Sequence, residues 1–153
     1  MTFVLTGISA GQLSYSVDGV QVSRSVQRQP LWLDNYAGSY LALVTQTTTN
    51  CNNPALNGKS TGLIGTVIRH TGLSMSLLSL DLISGGCTTD GVYFQLGRVG
   101  RFQGNYTCSS GDFGSTDITE MNNLVAQFSG RIRRTSVLSG CISIGSIIGL
   151  IPN

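Results

Sequence analysis

Apolar and polar residues alternate with a period of two through most of this chain, and turn-forming pairs interrupt the alternation at short intervals. Leu13, Tyr15 and Val17 alternate with serines up to Asp18-Gly19, after which Val20 and Val22 take up the same pattern. Asp-Gly suits a two-residue type I′ loop, because both residues need positive φ and the resulting twist matches that of the flanking strands. The pattern therefore predicts a hairpin in which Val17 faces Val20 and Tyr15 faces Val22. A second hairpin is predicted to run from Thr116 to Met121, turn at Asn122-Asn123, and return from Leu124 to Ile132 with Leu124, Ala126, Phe128 and Ile132 on one face.

Residues 38–45 read as a strand that is apolar on both faces at its middle. Residues 62–70 form another, with Leu63, Val67 and Arg69 on one side and Ile64, Thr66, Ile68 and His70 on the other. Residues 75–83 follow, with a slip of phase between Leu77 and Leu78 that predicts a β-bulge. Residues 92–96 and 102–108 add two more, Phe102, Tyr106 and Cys108 sharing a face of the latter. Eight or nine short strands at this spacing predict an all-β fold: a single antiparallel β-barrel, a lipocalin-like or avidin-like meander of about eight strands, with a β-sandwich as the alternative. A barrel is favoured because closure removes the exposed edges that a weakly charged sheet cannot otherwise protect. Glycine recurs two residues after an aromatic in Tyr36-Ala-Gly38, Phe102-Gln-Gly104 and Phe128-Ser-Gly130, as expected where strands bend across crowded barrel corners.

The length of 153 residues fits one β domain over residues 1–153. Only 10% of residues are charged, against about 25% in ordinary soluble domains, so solubility must rest on hydroxyls and amides. The net charge of +2 is too small to imply a nucleic acid or a membrane surface as partner. Residues 1–7 lack the basic and apolar regions of a signal peptide, which leaves room for the chain to be the C-terminal part of a longer exported protein whose leader has been removed. The apolar segment 137–152 is too short for a membrane helix and too rich in Gly and Ser for a helix at all, so it reads as a closing strand.

Cys51, Cys87, Cys108 and Cys141 lie far apart, with no C-x-x-C pair and no histidine at zinc-ligand spacing. They read as two disulfides rather than a metal site, which places the protein in an oxidising compartment, periplasmic or extracellular. Three connectivities are open. Cys51–Cys87 is favoured because both residues sit in polar, turn-rich stretches where loops can meet, and Cys108–Cys141 then follows by elimination.

Residues 13–29, together with Gly104-Asn-Tyr106-Thr-Cys108-Ser-Ser-Gly111-Asp-Phe-Gly114 and Phe128-Ser-Gly130-Arg131, resemble a group of exported proteobacterial proteins of uncharacterised function. The likeness covers about a third of the chain, and the Gly- and Trp-rich region that precedes such a segment in that group is missing here. It implies export and a β fold, and carries no activity or site residue.

Few residues can carry chemistry. His70 is the sole histidine and reads as a strand-end residue without a catalytic role. Asp112, Asp117 and Glu120 form the one group of acids that could support glycoside hydrolysis, yet Asp117 and Glu120 differ by an odd number along a strand and should point to opposite faces. In the Asn122-Asn123 register Asp117 shares a face with Phe113 and Phe128, and the period sends Arg24 inward with Leu13; because charged groups are rarely buried unpaired, a strand that drifts out to the barrel rim is the favoured reading over a polar-lined cavity. The arginines Arg98, Arg101, Arg131, Arg133 and Arg134 form a basic cluster that reads as a solvated outer face, with phosphate, a sulfated glycan or an acidic partner as the functional option. Trp32 reads as an aromatic packed over one end of the core.

The expected function is that of an exported, non-catalytic β-barrel module recognising a ligand or protein through its loops, with a structural, self-assembling subunit as the alternative. No cofactor is implied. The candidate binding residues are Asn52, Asn53, Lys59 and Asp90, in the stretches 50–59 and 85–91, which a Cys51–Cys87 bond would hold in place. A cavity lined by Tyr15, Arg24 and Phe128 would favour ligand binding, whereas an exposed apolar patch with a polar rim would favour assembly into a homo-oligomer.

Overall fold

A computed structural model describes residues 1–6, 10–27, 33–81, 85–124 and 126–152. Its contacts gather into two compact units, Met1–Trp32 and Leu33–Asn153, in a chain whose sequence reads as one β domain. Trp32 lies outside the described residues.

The first unit is an antiparallel sheet of β1 (Thr2–Leu5), β2 (Ala10–Val17) and β3 (Val20–Gln27), in that order. The hairpin matches its expected register, Val17 opposite Val20 and Tyr15 opposite Val22. Asp18 and Gly19 take φ of 50° and 80°, as a type I′ loop demands. Arg24 pairs with Leu13 on this sheet and is exposed. Tyr15 and Arg24 thus belong to this small sheet, and Phe128 to the other unit.

The second unit is a closed barrel of eight strands: β4 (Gly38–Thr49), β5 (Gly58–Thr71), β6 (Ser74–Asp81), β7 (Gly85–Leu96), β8 (Val99–Cys108), β9 (Phe113–Leu124), β10 (Gln127–Ser136) and β11 (Ile142–Leu150). Each strand pairs antiparallel with the next, and β11 returns to pair with β4. The all-β, antiparallel meander predicted by the alternation is therefore present, with the apolar C-terminal segment as its closing strand. Short hairpins at 71–74, 96–99 and 124–127 mark one end; the connections 50–57, 109–112 and 137–141 mark the other.

Alternation sends Tyr40, Ala42, Ile68, Met75, Leu77, Tyr93, Phe102, Ile118, Phe128 and Ile147 into the barrel, where they form one core. Tyr36 plugs the hairpin end, fully buried, its carbonyl accepting the Tyr40 hydroxyl at 3.0 Å. Interior glycines make room for rings: a Cβ on Gly104 would come within 2.8 Å of Phe102 Cζ, and one on Gly149 would enter the Phe128 ring. The recurrent aromatic–glycine spacing thus does mark crowded interior positions at Gly104 and, against Ile118 Cγ2 at 2.7 Å, at Gly130.

Three expectations are corrected. The second hairpin turns between Leu124 and Gln127, not at Asn122-Asn123, which lie inside β9 opposite Ser129 and Phe128. The bulge lies in β9 rather than at Leu77-Leu78: Glu120 and Met121 together oppose Gly130, and Glu120 takes the left-handed φ of 53°. β6 pairs in unbroken register on both sides, with Leu77 buried in the core and Leu78 on the outer wall. Finally, the disulfides are Cys51–Cys141 and Cys87–Cys108. In a meander, Cys87 and Cys108 stand directly opposite on the β7–β8 hairpin, while Cys51 and Cys141 flank the first and last strands of the barrel, which closure makes neighbours. Local loop polarity, on which the Cys51–Cys87 choice rested, holds no information about that closure.

Candidate functional site

The outer wall has two chemically distinct sides. On β11, β4, β5 and β6 the outward positions of the middle rows are apolar. Ile148 on β11 stands opposite Leu43 on β4, which stands opposite Leu63 on β5. The next row runs from Leu150 to Leu41, then Gly65 and Leu80. Val67 and Leu78 extend the patch from the row beyond. Among these, the seven Leu and Ile side chains are between 40% and 61% exposed. Thr45, Thr61 and Ser146 border the patch towards the cystine end, and Ser39, Arg69 and Ser76 towards the hairpin end. β4 and β11 carry no charged residue. Strands apolar on both faces normally occur where both faces are covered, and here one face fills the barrel and the other is open.

Polar side chains cover β8, β9 and β10, on the far side of the barrel. Cross-strand pairing builds two rows, Gln103–Asp117–Arg133 and Asn105–Ser115–Thr135, that line a surface groove of about 550 Å³. Arg101 grips Asp117 through two hydrogen bonds of 2.9 and 2.6 Å, and Arg131 lies 3.5 Å from Glu120. Asp117 and Glu120 therefore share the outer wall rather than opposite faces, because the bulge at Glu120 resets the parity, and Asp117 does not join Phe128 inside. The expected basic cluster is divided: Arg134 points inward, Arg101 and Arg131 pair with acids, and Arg133 has no ion pair among the described residues.

Both ends hold polar networks. At the hairpin end His70 lies against Tyr36 and Tyr93, ring centroids 5.9 and 4.7 Å away. The Tyr36 amide donates to His70 Nδ1 at 3.2 Å, and Nε2 lies 2.9 Å from the Gly72 carbonyl, which only a protonated Nε2 can satisfy. That pattern fixes the neutral tautomer, and burial lowers the imidazole pKa. Burial likewise pushes the Tyr36 and Tyr93 phenols up. At the cystine end Asp112 accepts from Tyr106 at 2.9 Å and from Ser136 at 2.5 Å, while the Arg134 guanidinium stacks 4.0 Å from the Tyr106 ring centroid.

The four candidate binding residues are not gathered into one site. Asn53 caps the one-turn 3-10 helix Pro54–Leu56, its side chain accepting from the Ala55 amide. Asn52 bridges to the 137–141 connection through Ser139 and Leu138. Lys59 lies in β5 and Asp90 in β7, so residues 85–91 are strand rather than loop. Asp90 stands opposite Asn105, one strand over from the polar groove. The residues missed by the sequence reading, Gln103, Asn105, Ser115 and Thr135, share its parity signal with Arg131 and Arg133, but the misplaced hairpin turn hid which of them meet. No known protein family, characterised protein or solved structure matches the chain.

Proposed function

We propose that the protein is a non-catalytic, disulfide-stapled β-barrel subunit that assembles with copies of itself through the apolar side of its wall, in the periplasm or outside the cell. The carrying observation is the continuous row Ile148–Leu43–Leu63 with its neighbours Leu41, Leu150, Leu78 and Leu80, all outward. Seven half-exposed Leu and Ile side chains present roughly 600 Å², the upper end of what monomers expose and near the ~800 Å² per partner of a stable interface once its polar rim is counted. A patch on one side of a rigid barrel suits a two-fold contact in which the same surface serves both copies.

Lipid is a poorer occupant than protein. A barrel in a bilayer needs an apolar band around its whole circumference, whereas Arg101, Asp117, Arg131 and Arg133 occupy the outer wall of β8–β10. Recognition through the loops has less support, since Asn52 and Asn53 spend their side chains on holding the loop itself. Two disulfides fit an oxidising compartment. A non-catalytic role is supported by His70, whose two ring nitrogens are both occupied by backbone groups.

Sedimentation equilibrium tests the proposal. The native chain should be a dimer or larger, and Leu43→Lys with Leu63→Lys should yield a folded monomer. A native monomer at high concentration would overturn it, as would a double variant that still associates.

A further inference from the structure

We infer that the groove on the opposite wall, over β8–β10, binds a carboxylate-bearing saccharide. It goes beyond self-assembly, and the two surfaces are on opposite sides of the barrel, so both can be occupied together.

The first observation is the kind of contact the groove can offer. β8, β9 and β10 are interior members of a closed sheet, each paired on both sides. Their backbone groups are spent in the ladder, and no edge is open to a peptide strand. Recognition must come from side chains that stand up from the wall. Those are two amides, Gln103 and Asn105, and two hydroxyls, Ser115 and Thr135, set in adjacent rows with neighbouring Cβ atoms about 5 Å apart. Amides and hydroxyls both donate and accept, and so do the ring hydroxyls of a sugar. The volume of about 550 Å³ lies in the range of small-molecule sites.

The second observation is the charge. Asp117 stands opposite Arg133, yet its two carboxylate oxygens are held by Arg101 from the other side. Arg131 is drawn to Glu120. Arg133 is left as the one cation lining the groove with no ion pair among the described residues. Its planar fork matches a carboxylate in two parallel hydrogen bonds. A single unpaired guanidinium beside a bed of amides and hydroxyls selects a polyhydroxylated ligand with one acidic group per ring, such as a uronic acid unit, over a neutral sugar.

Trigalacturonate and its neutral methyl ester are the probes, titrated into the native protein and followed by amide NMR and calorimetry. The acid should bind about tenfold or more tightly than the ester, with shifts centred on Gln103, Asn105, Ser115 and Thr135. Arg133→Gln, with an unchanged melting temperature, should bring the acid down to the affinity of the ester and leave the ester unaffected. Asn105→Ala should weaken both. Repeating the titration on the Leu43→Lys, Leu63→Lys double variant separates this inference from self-assembly, because groove binding should persist whatever the oligomeric state. Absence of binding by either probe up to about 10 mM, equal affinity for both, or displacement of the trimer by equimolar sulfate would each overturn it.

Discussion

The backbone N–H of Tyr36 donates to Nδ1 of His70 at 3.2 Å, so the residue that plugs the hairpin end of the barrel is held by an unprotonated imidazole nitrogen. Adding a proton there would set two donors against each other. Burial already lowers the pKa of His70 in the folded chain below its ordinary value of 6.5. The unfolded chain therefore takes up the proton first, and the contribution of His70 to stability, present above pH 6.5, is lost as the pH falls through and below that value. His70→Gln, which cannot titrate there, should be less stable than the native chain at neutral pH, and the gap between their melting temperatures should narrow on acidification. A gap that stays constant from neutral to acid pH would show that His70 does not couple folding to protons.

The two disulfides close loops of very different length, with separations of 90 residues for Cys51–Cys141 and 21 for Cys87–Cys108. By loop-closure entropy they contribute roughly 4.5 and 3.5 kcal/mol. Intact mass should show no alkylatable thiol before reduction and four after it, and peptide mapping should recover these two pairs. In denaturant titrations, the Cys51→Ala, Cys141→Ala variant should lose more stability than Cys87→Ala, Cys108→Ala. The reverse order would mean that strain or residual structure in the unfolded chain outweighs loop entropy.

What could be read from the sequence was what is local. Asp18-Gly19 dictates its own φ values, and the alternation around it fixes the register of β2 and β3 without help from the rest of the chain. The faces of β5 were legible for the same reason, since Ile64, Thr66, Ile68 and His70 turn inward as their parity requires. The turn of the second hairpin was not, because Asn122-Asn123 has good local turn chemistry and no local signal marks Glu120 as the residue that takes positive φ. That bulge alone moves Glu120 to the same wall as Asp117. The disulfide pairing is a property of closure, which joins β4 to β11 across nearly the whole second unit. The apolar outer wall was visible as strand 38–45 with two apolar faces and as the Leu77-Leu78 doublet. Its meaning as a surface emerges only when β11 brings Ile148 beside Leu43.

Two glycines of the barrel should respond in opposite ways to a methyl group. At Gly149 an added Cβ enters the Phe128 ring, which is fully buried and cannot swing away without disturbing the core. Gly149→Ala should therefore cost about 1–3 kcal/mol as overpacking. At Gly62, in β5, a Cβ meets nothing within 4 Å. Gly62→Ala should stabilise the barrel by up to about 1 kcal/mol by removing backbone freedom from the unfolded chain. Thermal melts of the two single variants check the pair. Equal effects would mean that strand propensity, and not the ring, governs Gly149.

Asp112 ties together the cystine end, and its removal should be felt by three groups at once. Its carboxylate accepts the Tyr106 and Ser136 hydroxyls, and Ser136 in turn accepts from the amide and hydroxyl of Ser139 in the 137–141 connection. Arg134 is desolvated beside it over the Tyr106 ring, and burial lowers the guanidinium pKa while the charge of Asp112 opposes that fall. Asp112→Ala leaves two hydroxyls without their acceptor and a partly buried cation without the carboxylate that favours its charge. It should cost roughly 3 kcal/mol, or a fall of about 10 °C in Tm. Asp112→Asn, which keeps the shape and one acceptor oxygen, should cost less. Adding Arg134→Met to Asp112→Ala should restore part of the loss, because the uncompensated charge goes with it. A double variant whose loss equals the sum of the two single losses would show that Arg134 and Asp112 are not coupled, leaving the hydroxyl bonds to account for the whole effect.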